Sequence, residues 1–371
     1  MGGVVAFATG FRRRVALALV ATLIVAPALA DQPKSDWKAD WDKTVEAANN
    51  EGQVVISGPS GRGWRDFLTQ RFQKDFPKIQ LKLTATAGRD FWPRLVKERE
   101  VGEYLWDMRV GGSDDNTHVL KTQGVFDTTR DKLVLPEVLD ENAWWGGLDS
   151  LFVSLDHTTL IAFAMYEQGM ANYNRKLLPN GVNLQDLTRP EWKGKISMAD
   201  PRGGSSLNTM SVLMKAYGED YVRTLLTTQN PIITKDPRQQ IEWLASGRYP
   251  VAFGLPTAAL IEYAARGGDI ADFKQSEGPR SWTQGVGGIS LINRAPHPNA
   301  SKVFINWVLT RQIQTELMQA VKLNSRRKDV PPGDPETTID TAQLSEYVGS
   351  QHEEIDYFHK RTSALLREIG K

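Results

Sequence analysis

The chain has 371 residues, 40% of them hydrophobic and 24% charged, which is typical of a globular protein with enough length for two domains. Its 45 basic and 44 acidic side chains leave a net charge of +1, so charge gives no reason to expect nucleic acid or an anionic membrane as a partner. The chain has no cysteine, which excludes disulfides, thiolate metal sites and cysteine nucleophiles.

The first 30 residues have the pattern of a secretory signal peptide. Arg12–Arg14 is a basic segment, Val15–Pro27 is apolar, and Ala28-Leu29-Ala30 is a small-x-small cleavage sequence before Asp31. The apolar run is short for a membrane span, and a retained anchor is the alternative interpretation. With aspartate and not cysteine after the cleavage sequence, lipid attachment there is excluded. We therefore predict export to the periplasm.

Strand and helix patterns alternate after the predicted cleavage site. Val54–Ile56 is a short apolar strand, and Arg65–Phe76 has the apolar spacing of an amphipathic helix. Ile79–Thr86 reads as the next strand and Phe91–Val101 as the next helix. This βαβα order predicts an open, mostly parallel sheet that binds ligands near the carboxyl ends of its strands.

Small polar residues and arginines follow the ends of three predicted strands. Because the carboxyl ends of parallel strands share one edge of a sheet, these side chains are candidates for a common site. Ordinary turns and solvated surface arginines are the alternatives, and Asp114 with Asp115 either binds an ammonium group or caps a helix. The candidate ligand-binding residues from these strand ends are Ser57, Ser60, Arg62, Arg89, Ser113 and Asp114.

A fourth strand end is followed by a polar, glycine-rich turn. Ile196–Ala199 reads as a strand, Asp200-Pro201 ends it, and Leu207–Tyr217 reads as a helix. The first N–H groups of a helix have no partner within the helix, and its dipole favours negative charge, so such a turn binds anions. An ordinary turn with a serine N-cap is the alternative. The candidates here are Arg202, Gly204, Ser205 and Ser206.

Five sequence phrases follow one another in a specific order. They are VVISGPSG (residues 54–61), YNRKLL (173–178), LTRPEWKGKISMADPRGGSS (187–206), QQIEWLASGRYPVAFG (239–254) and GGISLINRAPHPNASKVFINWVLTRQIQTEL (287–317). Together they resemble the extracellular solute-binding proteins (family 1) of ABC importers, in the ferric-iron-binding-protein-like branch with the type II periplasmic binding fold.

The resemblance implies an α/β fold of two lobes, with mixed sheets wrapped by helices, and a ligand cleft that closes by a hinge motion. We predict a signal peptide at 1–30, lobe 1 from 31–165 and 285–330, and lobe 2 from 166–284 and 331–371. The implied partners are a small-molecule solute and the permease subunits in the inner membrane. We expect a monomer that is not an enzyme, with no cofactor, no resident metal and no nucleic acid partner.

The chain departs from the ferric-binding members in the residues that hold iron. Those members have two adjacent tyrosines just after the strand that here is Val251–Phe253, whereas this chain has Gly254-Leu255-Pro256-Thr257 there. Tyr249 lies before that strand, and Ser57–Ser60 occupies the loop where the family has a histidine. Without phenolate ligands we expect an anionic or zwitterionic solute, such as a phosphate ester, phosphonate or carboxylate, with Thr257 as a further contact. Ferric iron or an iron chelate is the alternative.

Two further interpretations of the function remain open from the sequence. A secreted hydrolase is the alternative from another class, although no G-x-S-x-G, H-E-x-x-H or phosphate-loop motif occurs. A ligand sensor for a membrane receptor uses the same kind of cleft. The run Arg326-Arg327-Lys328 is interpreted as a basic surface segment, with a loop that returns to the cleft as the alternative implied by the resemblance. Most tryptophans are interpreted as core or lobe-surface residues, with an aromatic wall of the ligand site as the alternative.

We predict that the mature protein begins at Asp31, because the cleavage sequence Ala28-Leu29-Ala30 precedes it. N-terminal sequencing of the exported protein checks this. An exported chain whose first residue lies before Ala28 contradicts the prediction.

Overall fold

The computed structural model describes residues 37–59, 61–86, 88–113, 115–163, 166–202, 204–255, 259–260, 263–264, 266–283, 287–340, 342, 347–349 and 352–371. The predicted signal peptide at 1–30 and the candidates Ser60, Asp114 and Thr257 lie outside these residues. Among the described residues, no helix has both the length and the hydropathy that crossing a membrane requires.

Helices and short strands alternate along most of the chain, as the sequence patterns predict. The helices are α1 (Trp37–Glu51), α2 (Arg62–Asp75), α3 (Gly88–Glu100), α4 (Asp115–Thr122), α5 (Pro136–Leu139), α6 (Gly204–Tyr217), α7 (Glu219–Thr227), α8 (Pro237–Ser246), α9 (Pro298–Val308), α10 (Arg311–Val321) and α11 (Asp356–Glu368). The strands are β1 (Gln53–Gly58), β2 (Gln80–Ala85), β3 (Met108–Val110), β4 (Thr159–Ile161), β5 (Tyr166–Gln168), β6 (Ala171–Asn174), β7 (Ile196–Ala199), β8 (Ile232–Thr234), β9 (Val251–Phe253), β10 (Phe273–Gln275), β11 (Arg280–Thr283), β12 (Gly288–Leu291) and β13 (Tyr347–Gly349).

The first sheet, which we call sheet A, has the order β2-β1-β3-β12-β4. Strand β1 pairs in parallel with β2 and β3, whereas β12 runs antiparallel between β3 and β4. One face of the sheet covers the largest hydrophobic core, in which Phe72, Phe304 and Trp307 pack together. The other face packs against the aromatic residues of α3, including Phe91 and Trp92. Burial on both faces explains why Val54–Ile56 is apolar without alternation.

The second sheet, sheet B, has the order β10-β6-β9-β7-β8. Strand β7 pairs in parallel with β8 and β9, while β6 runs antiparallel to β9 and to β10. Its core contains buried residues of α6, α7 and α11, among them Met210, Leu225 and Leu365. The carboxyl ends of β7, β8 and β9 therefore share one edge of sheet B.

A third, small sheet lies where the chain passes between the two larger ones. This sheet C has the order β13-β11-β5. Strand β5 follows β4 of sheet A and precedes β6 of sheet B, and β11 carries the chain back from β10 to β12. The two larger sheets thus each have their own core and are connected by crossover strands. The lobe boundaries predicted from the sequence stay a prediction.

The run Arg326–Lys328 is not the basic surface segment that the sequence suggests. Arg327 is only 2% exposed, and its guanidinium donates to the carbonyl oxygens of Glu137 and Leu309 at 3.0 and 3.1 Å. Arg326 is equally buried and donates to Ser150. Both arginines therefore donate to backbone carbonyl groups on segments that are distant in the chain, and no local sequence pattern reveals such contacts.

We expect the Arg327→Met variant to lose on the order of 3 kcal/mol of stability, because the carbonyl groups of Glu137 and Leu309 lose their donor and each buried unsatisfied group costs about 1–3 kcal/mol. Chemical denaturation followed by circular dichroism measures the loss. The matched control is Lys328→Met, an exposed neighbour whose removal is expected to change stability by less than about 0.5 kcal/mol. Equal stability of the two variants contradicts the structural role of Arg327.

Candidate functional site

Two of the serines predicted from the sequence lie at the carboxyl edge of sheet A. Ser57 is next to last in β1 and is fully buried, and Ser113 follows β3 closely and is also buried. Strands β1 and β3 are parallel neighbours, so their carboxyl ends share this edge. The structure therefore brings Ser57 and Ser113 to one region of the first lobe.

A row of polar side chains crosses sheet A at the level of Ser57. The strand register places Ser57 opposite Arg109, Arg109 opposite Ser290, and Ser290 opposite Thr159. Residues directly opposite each other on paired strands point to the same face of the sheet. The Arg109 guanidinium donates to Ser57 Oγ at 2.7 Å, and the hydroxyls of Thr159 and Ser290 are 2.8 Å apart. Four adjacent strands thus present a continuous polar band.

Arg109 is a residue of this site that the sequence analysis did not select. It is 6% exposed, it also donates to the carbonyl oxygen of Thr86 at 3.1 Å, and its guanidinium carbon lies 5.3 and 5.5 Å from the ring centres of Phe91 and Trp92. Arginine is seldom buried unless it is paired, so a single arginine within the apolar strand Met108–Val110 was a signal available in the sequence. The structure places this charge at the carboxyl edge of β3.

Two other predicted residues of the first lobe, Arg62 and Arg89, lie at the starts of helices. Arg62 is the first residue of α2 and is exposed, so its side chain lies in solvent. Arg89 is the second residue of α3, the helix that follows β2. Both follow carboxyl ends of parallel strands, as predicted, and no described contact joins Arg62 to Ser57.

In the second lobe, α6 begins at Gly204, three residues before the predicted start at Leu207. Gly204, Ser205 and Ser206 therefore form the first turn of the helix, where backbone N–H groups have no partner within the helix. The Ser206 hydroxyl donates to the carbonyl oxygen of Ala199, the last residue of β7, at 2.9 Å. This bond ties the start of α6 to the carboxyl edge of sheet B.

Gly254, directly after β9, makes the close approach to α6 possible. Its φ is +68°, a region that residues with a side chain rarely adopt. A Cβ atom on Gly254 would lie 2.6 Å from Cβ and 2.8 Å from Cα of Ser206. Only glycine fits there, so the strand end and the first helical turn are in direct contact.

Arg202 is held locally by an acidic neighbour. Its guanidinium makes two hydrogen bonds with the Asp200 carboxylate, at 2.8 and 2.5 Å, and its backbone N–H donates to the same group at 3.1 Å. The hydrogen bonds from Arg202 lower the pKa of Asp200 to about 2. The structure thus pairs Arg202 with Asp200 at the exposed end of the turn, and no described contact joins it to Ser206.

Tyr249 lies at the opposite edge of sheet B from the α6 turn, because it precedes β9 and β9 runs parallel to β7. There its ring packs against Trp243, with the ring centres 5.2 Å apart. Within the described residues, no group of three or more histidine, cysteine, aspartate or glutamate side chains is arranged to hold a metal ion. The tryptophans Trp64, Trp92 and Trp144 are buried, in agreement with their interpretation as core residues.

Comparisons with known proteins agree with this architecture. A family model described as bacterial extracellular solute-binding protein matches residues 162–320. An uncharacterized protein of Haemophilus influenzae is 22% identical over 272 residues, which cover 72% of this chain and 76% of that protein.

Among solved structures, ferric iron-binding protein A of Mannheimia haemolytica, in an open conformation, superimposes with a TM-score of 0.64 at 13% identity. That alignment covers 86% of this chain and 98% of the other. The Trichodesmium protein IdiA (FutA), in complex with iron and citrate, gives a TM-score of 0.65 at 13% identity and covers 86% and 99%.

These likenesses confirm the two-lobe type II periplasmic binding fold and the resemblance to the ferric-binding-protein-like branch. The family model over residues 162–320 agrees with the coarser functional prediction of an extracellular solute-binding protein. At 13% sequence identity, the similarity to these structures establishes the fold but does not identify the ligand.

We expect Gly254→Ala to be destabilised by about 2–4 kcal/mol, since the left-handed backbone costs an alanine about 1–2 kcal/mol and the contact with Ser206 adds about 1–2 kcal/mol of overpacking. The matched control is Gly194→Ala, where φ is +72° and no atom lies within 4 Å of the added Cβ. Thermal or chemical denaturation of both variants separates the two costs. If both lose the same stability, Ser206 does not restrict position 254.

Proposed function

We propose that the protein captures a small anionic or zwitterionic solute of the phosphate ester, phosphonate or carboxylate type between its lobes and delivers it to permease subunits in the inner membrane. The observation that carries this proposal is the burial of Arg109 at the carboxyl edge of sheet A. Ligands of open α/β sheets bind outside the carboxyl ends of the strands. A guanidinium at that edge supplies a permanent positive charge and a planar set of donors that matches carboxylate and phosphate.

The surroundings of Arg109 favour a strong interaction with an anion. Phe91 and Trp92 cover its guanidinium, and Ser57 fixes one of its donors. Electrostatic attraction is larger where water is excluded than at an exposed surface, because the effective dielectric constant is lower. A side chain held in one orientation also loses less entropy when it binds. Ser57 and Ser113 add hydroxyl groups at the same edge.

The first turn of α6 is the proposed contact from the second lobe. Its N–H groups and the positive end of the helix dipole favour a negatively charged group. Gly254 and the bond from Ser206 to Ala199 fix this turn against the end of the sheet. Because Asp200 is paired with Arg202, its carboxylate is neutralised near the turn. Gly204, Ser205, Ser206 and the remaining sequence candidates Ser60, Arg62, Arg89, Asp114, Arg202 and Thr257 belong to this proposal.

An iron chelate is the second candidate, favoured by a particular relative. The Trichodesmium protein has iron and citrate bound. Citrate is a carboxylate anion, so a cleft with Arg109 and a helix N-terminus also suits a ferric chelate whose outer groups are carboxylates. The two candidates differ in whether the protein recognises the organic anion or the metal.

We expect the unloaded protein to be stabilised by organic anions in a thermal-shift screen of glycerol 3-phosphate, 2-aminoethylphosphonate, succinate, citrate, ferric citrate and a ferric salt. A ligand at 100 times its dissociation constant adds about 2.7 kcal/mol. Stabilisation by ferric citrate but not by citrate supports the second candidate. Stabilisation by the ferric salt and by none of the organic anions contradicts the proposal.

We expect Arg109→Met to weaken binding of the anion found in that screen by about 10- to 100-fold, because a hydrogen bond to a charged group contributes about 1.5–3 kcal/mol. Titration calorimetry measures the affinity, and circular dichroism checks that the variant is folded. The matched control is Arg99→Met, which removes an arginine of the same lobe that lies 5.0 Å from the ring centre of Tyr104. Equal affinities of a folded Arg109→Met variant and the native protein contradict a role of Arg109 in binding.

A further inference from the structure

The segment after β13 contacts both lobes of the protein. It begins in sheet C, where Tyr347–Gly349 pairs with β11. Glu353 then bonds to the lobe of sheet A, whereas Ile355 and α11 pack into the core of the lobe of sheet B. A segment with this path connects two bodies that are otherwise joined through the crossover strands.

Glu353 makes the contacts with the lobe of sheet A. Its carboxylate accepts from Lys121 Nζ at 2.8 and 2.7 Å and from the backbone N–H of Leu155 at 3.0 Å. Its own N–H donates to the carbonyl oxygen of Val153 at 2.8 Å. The side chains of Lys121 and Glu353 are 14% and 24% exposed, so water screens this ion pair less than an ordinary surface pair.

Helix α11 makes the contacts with the lobe of sheet B. Leu365 and Leu366 are buried in the core of that lobe, and the hydroxyls of Ser211 on α6 and Thr362 are 3.3 Å apart. Arg361 forms an ion pair with Glu219 of α7. These contacts are extensive, so α11 moves with the second lobe. Glu353, which precedes α11 by three positions, is therefore carried by one lobe and bonded to the other.

We infer that the Lys121–Glu353 ion pair is a latch that biases the angle between the two lobes. Any rotation that separates Val153–Leu155 from α11 must lengthen the bonds of Glu353, whereas an arrangement that keeps these bonds is stabilised by them. A contact made in one arrangement and lost in another shifts the populations of the two. The latch rests on the two-lobe fold and does not depend on which solute is bound.

Distances between the lobes test the latch without any ligand. The chain has no cysteine, so Lys97→Cys on α3 and Glu242→Cys on α8, both at exposed positions, provide one spin label on each lobe. In this background we expect Glu353→Gln and Lys121→Met each to shift the distance distribution in the same direction. The ratio between the populations of the shorter and the longer distance is expected to change by about tenfold, which corresponds to the loss of one charged hydrogen bond.

The matched control is Glu354→Gln. Glu354 is the next residue and also carries one negative charge, but its partner is Lys215 on α6, at 3.6 Å, in the lobe to which α11 belongs. We expect the distance distribution between the spin labels in Glu354→Gln to equal that of the labelled protein without this substitution. Unchanged distributions in both Glu353→Gln and Lys121→Met overturn the latch, and so does an equal shift in Glu354→Gln. Because no solute is added, failure of the proposed anion binding leaves this result unaffected.

Discussion

A positive charge buried at the end of β3 constrains the whole carboxyl edge of sheet A. Removing a charge from water costs several kcal/mol unless neighbouring groups compensate. The neighbours of Arg109 meet this demand: Ser57 is the residue opposite it on β1, Thr86 offers a carbonyl group just after β2, and Phe91 offers its ring face. The ends of β1 and β2 thus supply both hydrogen-bond acceptors described for this guanidinium.

The same constraint accounts for a glycine that looks like an ordinary turn residue in the sequence. A Cβ atom at Gly111 would lie 2.8 Å from Nη2 of Arg109, so a side chain there would displace the guanidinium. Gly254 has the corresponding role in the second lobe, where the absence of a side chain leaves space for Ser206. In both lobes a glycine beyond a strand end leaves room for a donor group, either a side chain or the first turn of a helix.

The sequence predicted the helices and strands well, because the spacing of apolar residues determines them. It predicted poorly the side chains whose partners are distant in the chain. The alternation from Val54 onward gave the order of strands and helices, because burial of both sheet faces leaves a clear pattern. It did not reveal the acceptors of Arg109 or Arg327, since these lie on distant segments, although the apolar neighbours of Arg109 were a signal of its burial. The partner of Glu353 is 232 residues away, and no local pattern encodes such a pair. Ser57 and Ser206 were chosen as strand-end polar residues; their binding role stays a prediction.

The central claim is that the cleft recognises an organic anion through Arg109 and the first turn of α6. Native mass spectrometry of the protein purified without unfolding tests it most directly. We expect an added mass that corresponds to a small phosphate, phosphonate or carboxylate compound, which is released on unfolding and is reduced in Arg109→Met. An added mass of ferric ion alone, retained in Arg109→Met, would contradict it.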